Sequence, residues 1–256
     1  MGDVLVAKVA GRDIYGRPSD AHPTGMFLKK DGLQGMKGLP TARREALARA
    51  VAHGEHDVPV FLPARVITMD LWLLEWSEYE LGKLTRLVSG LAAEGNSVTI
   101  NAYENGEMLL SRGRRIVGEV TDLGGRRFGR RYVAEAQLQF VCADPRQYGE
   151  VVRFPESGEA TSIPVFQRGN FPAHPIIDIR SAPASYTITG PGGTFTVAGA
   201  TPGGNHRIDL RNGRVTRNDV LLSGVGRGAL WAIPPGQRTT ITLSAPGSVL
   251  ISDTFV

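Results

Sequence analysis

Cysteine is nearly absent. The one thiol in 256 residues, Cys142, excludes an internal disulfide framework. It falls on the apolar side of a predicted strand, where a thiol is buried and inert rather than nucleophilic. Lysine is scarce too, at positions 8, 29, 30, 37 and 83 only, so the cationic side chains are overwhelmingly arginine. With abundant Ala and Gly, that usage fits a GC-rich coding genome. No apolar run approaches the ~20 residues that span a bilayer. No charged segment followed by an apolar one opens the chain, so a soluble protein without a signal peptide or membrane insertion is expected.

What is present favours strands. Hydrophobic residues make up 41% of the chain, enough for a core, and 32 glycines with 16 prolines suit many short strands joined by turns. The length fits one large domain or two ordinary ones. Net charge is +4, mildly basic.

Residues 132–149 divide the chain. Ala134, Ala136, Leu138, Phe140 and Cys142 alternate with Glu135, Gln137 and Gln139, the period of a half-buried strand. Asp144-Pro145 stops it, because proline removes a ladder donor and holds the preceding residue extended. A marked helix lies before this point and no helix signal after it. Two domains are therefore expected, 1–150 and 151–256.

In the first, residues 3–9 alternate weakly as a strand. Residues 11–40 are broken by glycine and proline, a loop with one short strand at 26–28. Residues 41–53 have helix propensity, with Leu47 and Val51 four apart. Residues 66–76 form a strand with Ile67, Met69, Leu71 and Leu73 on one face. Ser77-x-x-Glu80 is a capping box opening a helix over 78–94, with Leu81, Leu84, Val88 and Leu91 at helical spacing and Gly95 as stop. Residues 97–103 are a strand with Val98, Ile100 and Ala102 inward, and Asn105-Gly106 turns it into 108–110. Residues 115–121, Gly124-Gly125 and Phe128 onward make a second long hairpin. In the second half, strands are expected at 163–167, 176–180, 186–189, 194–197, 207–210, 214–216, 230–233, 239–243 and 249–252, the pattern of a β-sandwich or jelly roll.

Chemistry is hard to find. Gly124, Gly125 and Gly129 lack the dinucleotide spacing, and no phosphate loop occurs. Leu222-Ser-Gly-Val-Gly226 is a turn, not a nucleophile elbow. His53 and His56 flank Gly54-Glu55 without a second ligand pair, a polar loop rather than a zinc site. Glu119, Asp122, Glu135 and Asp144 sit at strand positions and turns, with no assignable pairing. No catalytic, cofactor-binding or metal-ligating residue is assigned, and no cofactor. Arg112, Arg114, Arg115, Arg126, Arg127, Arg130 and Arg131 surround one hairpin. They form either a basic surface for nucleic acid or an acidic neighbouring subunit, or a solvated edge protected from aggregation. Trp72 and Trp76 belong to core or interface. Trp231 belongs to the core or stacks on a sugar.

Several stretches together resemble the distal tail proteins of long-tailed, non-contractile bacteriophages. They are Asp31-Gly-Leu-Gln-Gly35 with Ala52-His-Gly54, Ala64-Arg-Val-Ile-Thr-Met69, Phe140-Val-Cys-Ala-Asp-Pro-Arg-Gln-Tyr-Gly149, and His206-Arg-Ile-Asp-Leu-Arg-Asn-Gly213 with Leu230-Trp-Ala-Ile-Pro-Pro-Gly236. The resemblance implies a mainly β protein. Its N-terminal domain is β-barrel-like with one helix, and its C-terminal domain is a galectin-like β-sandwich. Six copies form a ring joining the tail tube to the tail tip, with a channel for DNA. The implied partners are further copies of the chain, the tail tube protein, the tape measure protein and the tail-tip hub or receptor-binding proteins. The implied location is the virion tail tip, after assembly in the host cytoplasm, and the implied role is structural, not enzymatic. In that family the segment matching 41–53 runs extended or as loop, against its local propensity. Longer members carry carbohydrate-binding insertions in the C-terminal domain, and this chain has none. The alternatives are a carbohydrate-binding module recognising the host envelope through the sandwich, and an enzyme on cell-wall polymers. A ring subunit also needs exposed strand edges and arms, and the glycine-punctuated segment 11–40 reads as such an arm.

Overall fold

A computed structural model describes residues 5–38, 41–104 and 106–256. These form two compact units, one running to Gln147 and the other spanning Tyr148–Phe255. Both are built mainly of strands, and the described residues hold one α-helix.

The first unit contains β1 (Leu5–Val9), β2 (Arg12–Tyr15), β3 (Gly25–Gln34), β4 (Arg65–Glu75), α1 (Glu78–Gly90), β5 (Val98–Glu104), β6 (Glu107–Phe128) and β7 (Arg131–Cys142). β1 pairs antiparallel with β2 and β5, and the ladder continues through β6, β7, β4 and β3. β3 then meets β2 through one parallel pair, Tyr15 with Phe27, which closes the ring into a barrel. The β4–β7 register holds unbroken from Arg65↔Cys142 to Glu75↔Tyr132. Both strands alternate with period two, so a one-residue slip would turn both apolar sets outward. Ile67, Met69, Leu71, Leu73, Ala134, Leu138, Phe140 and Cys142 are all fully buried in the barrel interior.

Helix α1 covers this core with Leu81 and Val88. The Ser77 hydroxyl accepts the Glu80 amide at 3.2 Å, as the capping box requires. The reciprocal half differs: the Glu80 carboxylate takes the Lys83 ammonium at 3.0 Å rather than reaching back. The helix also ends at Gly90 instead of 94, because Leu91 turns extended and Ala92 adopts φ 55°.

Residues 41–53 are not helical. They form one side of a thin arm bridged at Arg43↔Phe61 and Ala48↔Glu55. Leu47 and Val51 are 72% and 99% exposed, so a helix here would have no face to bury, and propensity alone does not hold a short helix. The segment 11–40 departs the other way, since it contains β2 and the ten-residue β3. Two of its glycines, Gly32 and Gly35, mark close approach. A Cβ at Gly32 would lie 2.6 Å from the Asp70 carbonyl oxygen, and one at Gly35, where φ is +79°, only 1.8 Å from that of Val66. The expected breaker Pro40, the first residues of the expected strand at 3–9, and Asn105 of the Asn-Gly turn lie outside the described residues. The pairing Glu104↔Glu107 still leaves a two-residue loop there.

The second unit holds β8 (Gln147–Phe154), β9 (Ala160–Val165), β10 (Ile176–Ile179), β11 (Tyr186–Gly190), β12 (Gly193–Val197), β13 (His206–Asp209), β14 (Arg214–Arg217), β15 (Val220–Leu222), β16 (Gly226–Gly228) and β17 (Thr239–Phe255). One sheet runs β9-β17-β11-β12-β16 and the other β17-β10-β13-β14-β15. β17 serves both, because its register breaks between Thr242 and Gly247, around Pro246, which cannot donate to a ladder. Apolar residues of both sheets meet between them, Ile163, Ile188, Phe195 and Ile241 against Ile177, Ile208 and Val249. β8, β15 and β16 were not legible as strands. Residues 230–233 are, conversely, not a strand: among them Ile233 bridges Ala173 and no more.

Candidate interaction surface

The barrel's outer face carries a small second apolar cluster. Phe27, Leu74 and Val133 are 1–4% exposed there, with Tyr15, Trp72 and Leu123 packed against them. Phe27, Leu74, Val133 and Trp72 floor a slot of about 340 Å³ also lined by Pro18, Leu28 and Phe128 and edged by Arg17, Arg126 and Arg127. The β6–β7 hairpin shapes its rim. Asp122 pairs with Ala134 and Arg127 with Tyr132, so residues 123–126 bulge opposite Val133 alone. Gly124 and Gly125 supply positive φ, and the Asp122 carboxylate accepts the Gly124 amide at 3.0 Å. The chain turns later, between Phe128 and Arg131, so Gly124-Gly125 is a bulge within β6 and not the hairpin tip.

The seven arginines do not act as one surface. Arg115 lies beside the end of α1 and donates to the Ser89 carbonyl at 2.7 Å and the Val88 carbonyl at 3.3 Å. Arg114 donates to the Gly95 carbonyl. Arg115 thus completes the helix terminus from another strand, in a helix whose own last turn has no basic residue, while Arg114 ties down the loop that follows. At the other end, Arg127 stacks on Tyr132 at 4.4 Å and bonds its hydroxyl, and Arg131 lies 5.2 Å from the Trp76 ring. Phe128 is 65% exposed beside them. Trp76 is surface, and Trp72 is half-buried under Lys29, whose ammonium also meets Glu135 at 2.7 Å.

Arg65 had no role in the sequence reading beyond its place in a motif. It is 2% exposed, and its guanidinium donates to the carbonyls of Pro145 at 2.7 Å, Gly35 at 2.7 Å, Met36 at 3.1 Å and Gly38 at 3.1 Å. It ties the end of β7 and the loop after β3 to the start of β4. An arginine opening an alternating run was the available signal, because a charge buried there needs several acceptors.

Of the other candidates, Glu119 and Glu135 line one open pocket of about 340 Å³ together with Asp70, Lys29, Thr121 and Gln137, and the rest lie apart. Asp144 pairs with Arg146, Asp122 stabilises the bulge and Glu135 pairs with Lys29, while Glu119 faces Gln137 across the ladder. His53 and His56 lie exposed on the arm, where Glu55 pairs with Arg44 at 3.2 Å. No group of three potential metal ligands occurs among the described residues. No helix among them is long and apolar enough to cross a membrane. Burial pushes the Cys142 thiol up to about 11, Arg65 opposing and Asp144 adding to the effect. Trp231 is 4% exposed, its ring laid over the β11–β12 hairpin so closely that a Cβ at Gly190 would fall 2.3 Å from it. It offers no face to a sugar.

Solved structures with the same fold are known. The crystal structure of SPP1 Dit, a paradigm of hub adsorption apparatus in phages infecting Gram-positive bacteria, superposes with a TM-score of 0.73 over 99% of this chain and 100% of that one. The chain has the fold of that phage hub protein. Sequence identity is 18%, so the likeness is one of fold. A chain of the phage P2 baseplate, in its activated conformation with calcium, gives a TM-score of 0.50 at 11% identity, covering 97% of this chain and 98% of its own. No family model matches the sequence, and no curated protein does.

Proposed function

We propose that the chain is a structural distal tail protein of a long-tailed, non-contractile phage. Six copies form a ring through the barrel units. The ring joins the tail tube to the tail tip and leaves a channel for DNA, which passes without sequence recognition. Its partners are the tail tube protein, the tape measure protein and the tail-tip hub or receptor-binding proteins. It assembles in the host cytoplasm and works in the virion without catalysis. The observation that carries this reading is the end-to-end match to a phage hub protein with neither chain left over.

Electron microscopy and sedimentation of the purified protein, alone and with the tail tube protein, test it. A closed six-membered ring with an open centre is expected. A monomer under every condition would overturn the proposal.

A further inference from the structure

The barrel leaves little open margin, because its strands close on themselves. Self-association therefore needs another device, and two unpartnered features supply one. The first is the Arg-edged apolar slot floored by Phe27, Trp72 and Val133. The second is the returning side of the arm, Asp57-Val-Pro-Val-Phe61. Val60 and Phe61 there are 55% and 60% exposed, and Asp57 is exposed as well. A two-stranded ribbon of this kind is marginal in water by itself.

We propose that the Asp57–Phe61 segment of a second copy of this chain docks in the slot. Phe61 and Val60 enter between Trp72 and Phe128, and the Asp57 carboxylate meets Arg17 and Arg126 at the edge. The chemistry is complementary: an acidic, aromatic peptide against an apolar slot with cationic walls. The segment is also held ready, which lowers the entropy lost on docking. Pro59 fixes its own φ and keeps Val58 extended, and Phe61 is anchored through backbone bonds of 2.8 and 3.0 Å with Arg43. Donor and acceptor lie on different parts of one surface, so the contact is heterologous and generates a ring when its rotation closes. This rests on the ring reading and names the contact that builds it.

Phe61→Ser removes the donor and Phe128→Ser weakens the acceptor, both at exposed positions that leave the core intact. Each variant alone should self-associate roughly 30-fold more weakly or worse, as for loss of a central aromatic anchor. Mixed together they should form heterodimers and nothing larger, since only one of the two contacts survives per pair. In a Cys142→Ala background, Phe61→Cys with Phe128→Cys should cross-link between copies. If wild-type rings form but neither variant weakens them and no cross-link appears, the arm contact is wrong and the ring reading stands. If the wild type never associates, both fail.

Discussion

Individual residues show the fold's chemistry most directly. Cys142 was readable as an inert thiol from its place on an alternating strand, and the structure adds the cause: it is fully buried, with its thiol pushed up to about 11. At pH 8 a thiol-specific disulfide reagent should leave it unmodified in the native protein and titrate one thiol after denaturation. Rapid native labelling would mean that the barrel interior is open. Asp178 was not readable. Burial raises its carboxyl above the usual range, against the lowering effect of Arg207, Arg153 and Arg180, with Asp219 adding to the rise. The folded state then binds a proton more tightly than the unfolded chain. As pH rises from the ordinary carboxylate value, about 4, to the raised folded value, the protein loses stability, and the penalty stays in full above that window. Asp178→Asn should flatten this part of a denaturation-versus-pH profile. An unchanged slope would assign the dependence to other carboxyls, Glu75 first, whose carboxyl burial also raises.

Elements were legible where period and burial agreed. The 67–73 and 134–142 faces and the Ser77 cap needed only side-chain alternation and one hydroxyl. The helix end was not legible, because the group that meets its last carbonyls comes from β6. Arg115 reaches the Val88 and Ser89 carbonyls from 26–27 residues away in sequence. Gly118 leaves room for that guanidinium, since a Cβ there would lie 2.6 Å from it. Arg115→Ala should cost about 1–2 kcal/mol, the value of charge-assisted bonds to helix-end carbonyls. Gly118→Ala should cost less, by pushing the same side chain aside. Urea denaturation measures both, and full additivity in the double variant would argue against a shared cause. The helix expected over 41–53 failed for the opposite reason. Its residues have the propensity, but Leu47 and Val51 find nothing to pack on.

At the scale of the molecule, the mainly β class and the single helix were visible in turn spacing and periodicity. Barrel closure was not, because one parallel pair between Tyr15 and Phe27 decides it, and no local pattern encodes a contact between strands that distant in the ladder. The candidate surface was half visible. The arginine hairpin stood out, but the bulge at 123–126 that turns Arg126 and Arg127 over an apolar slot depends on register. The arm that the sequence suggested at 11–40 lies instead at 41–62, outside the barrel's ladders and carrying Arg43, Arg44 and Arg49. Its exposed, thinly bridged backbone is what a protease needs to open locally. Trypsin should cut the unassembled protein first at Arg49, next to fully exposed ground at Val51. In the proposed ring the same bond should be cut at least ~10-fold more slowly, because the proposed docking of 57–61 would lower the population of the open arm, and cleavage tracks that population when opening is fast. Equal cleavage rates in free protein and ring would show that assembly leaves the arm unheld, and the ring would then have to be built from barrel faces alone.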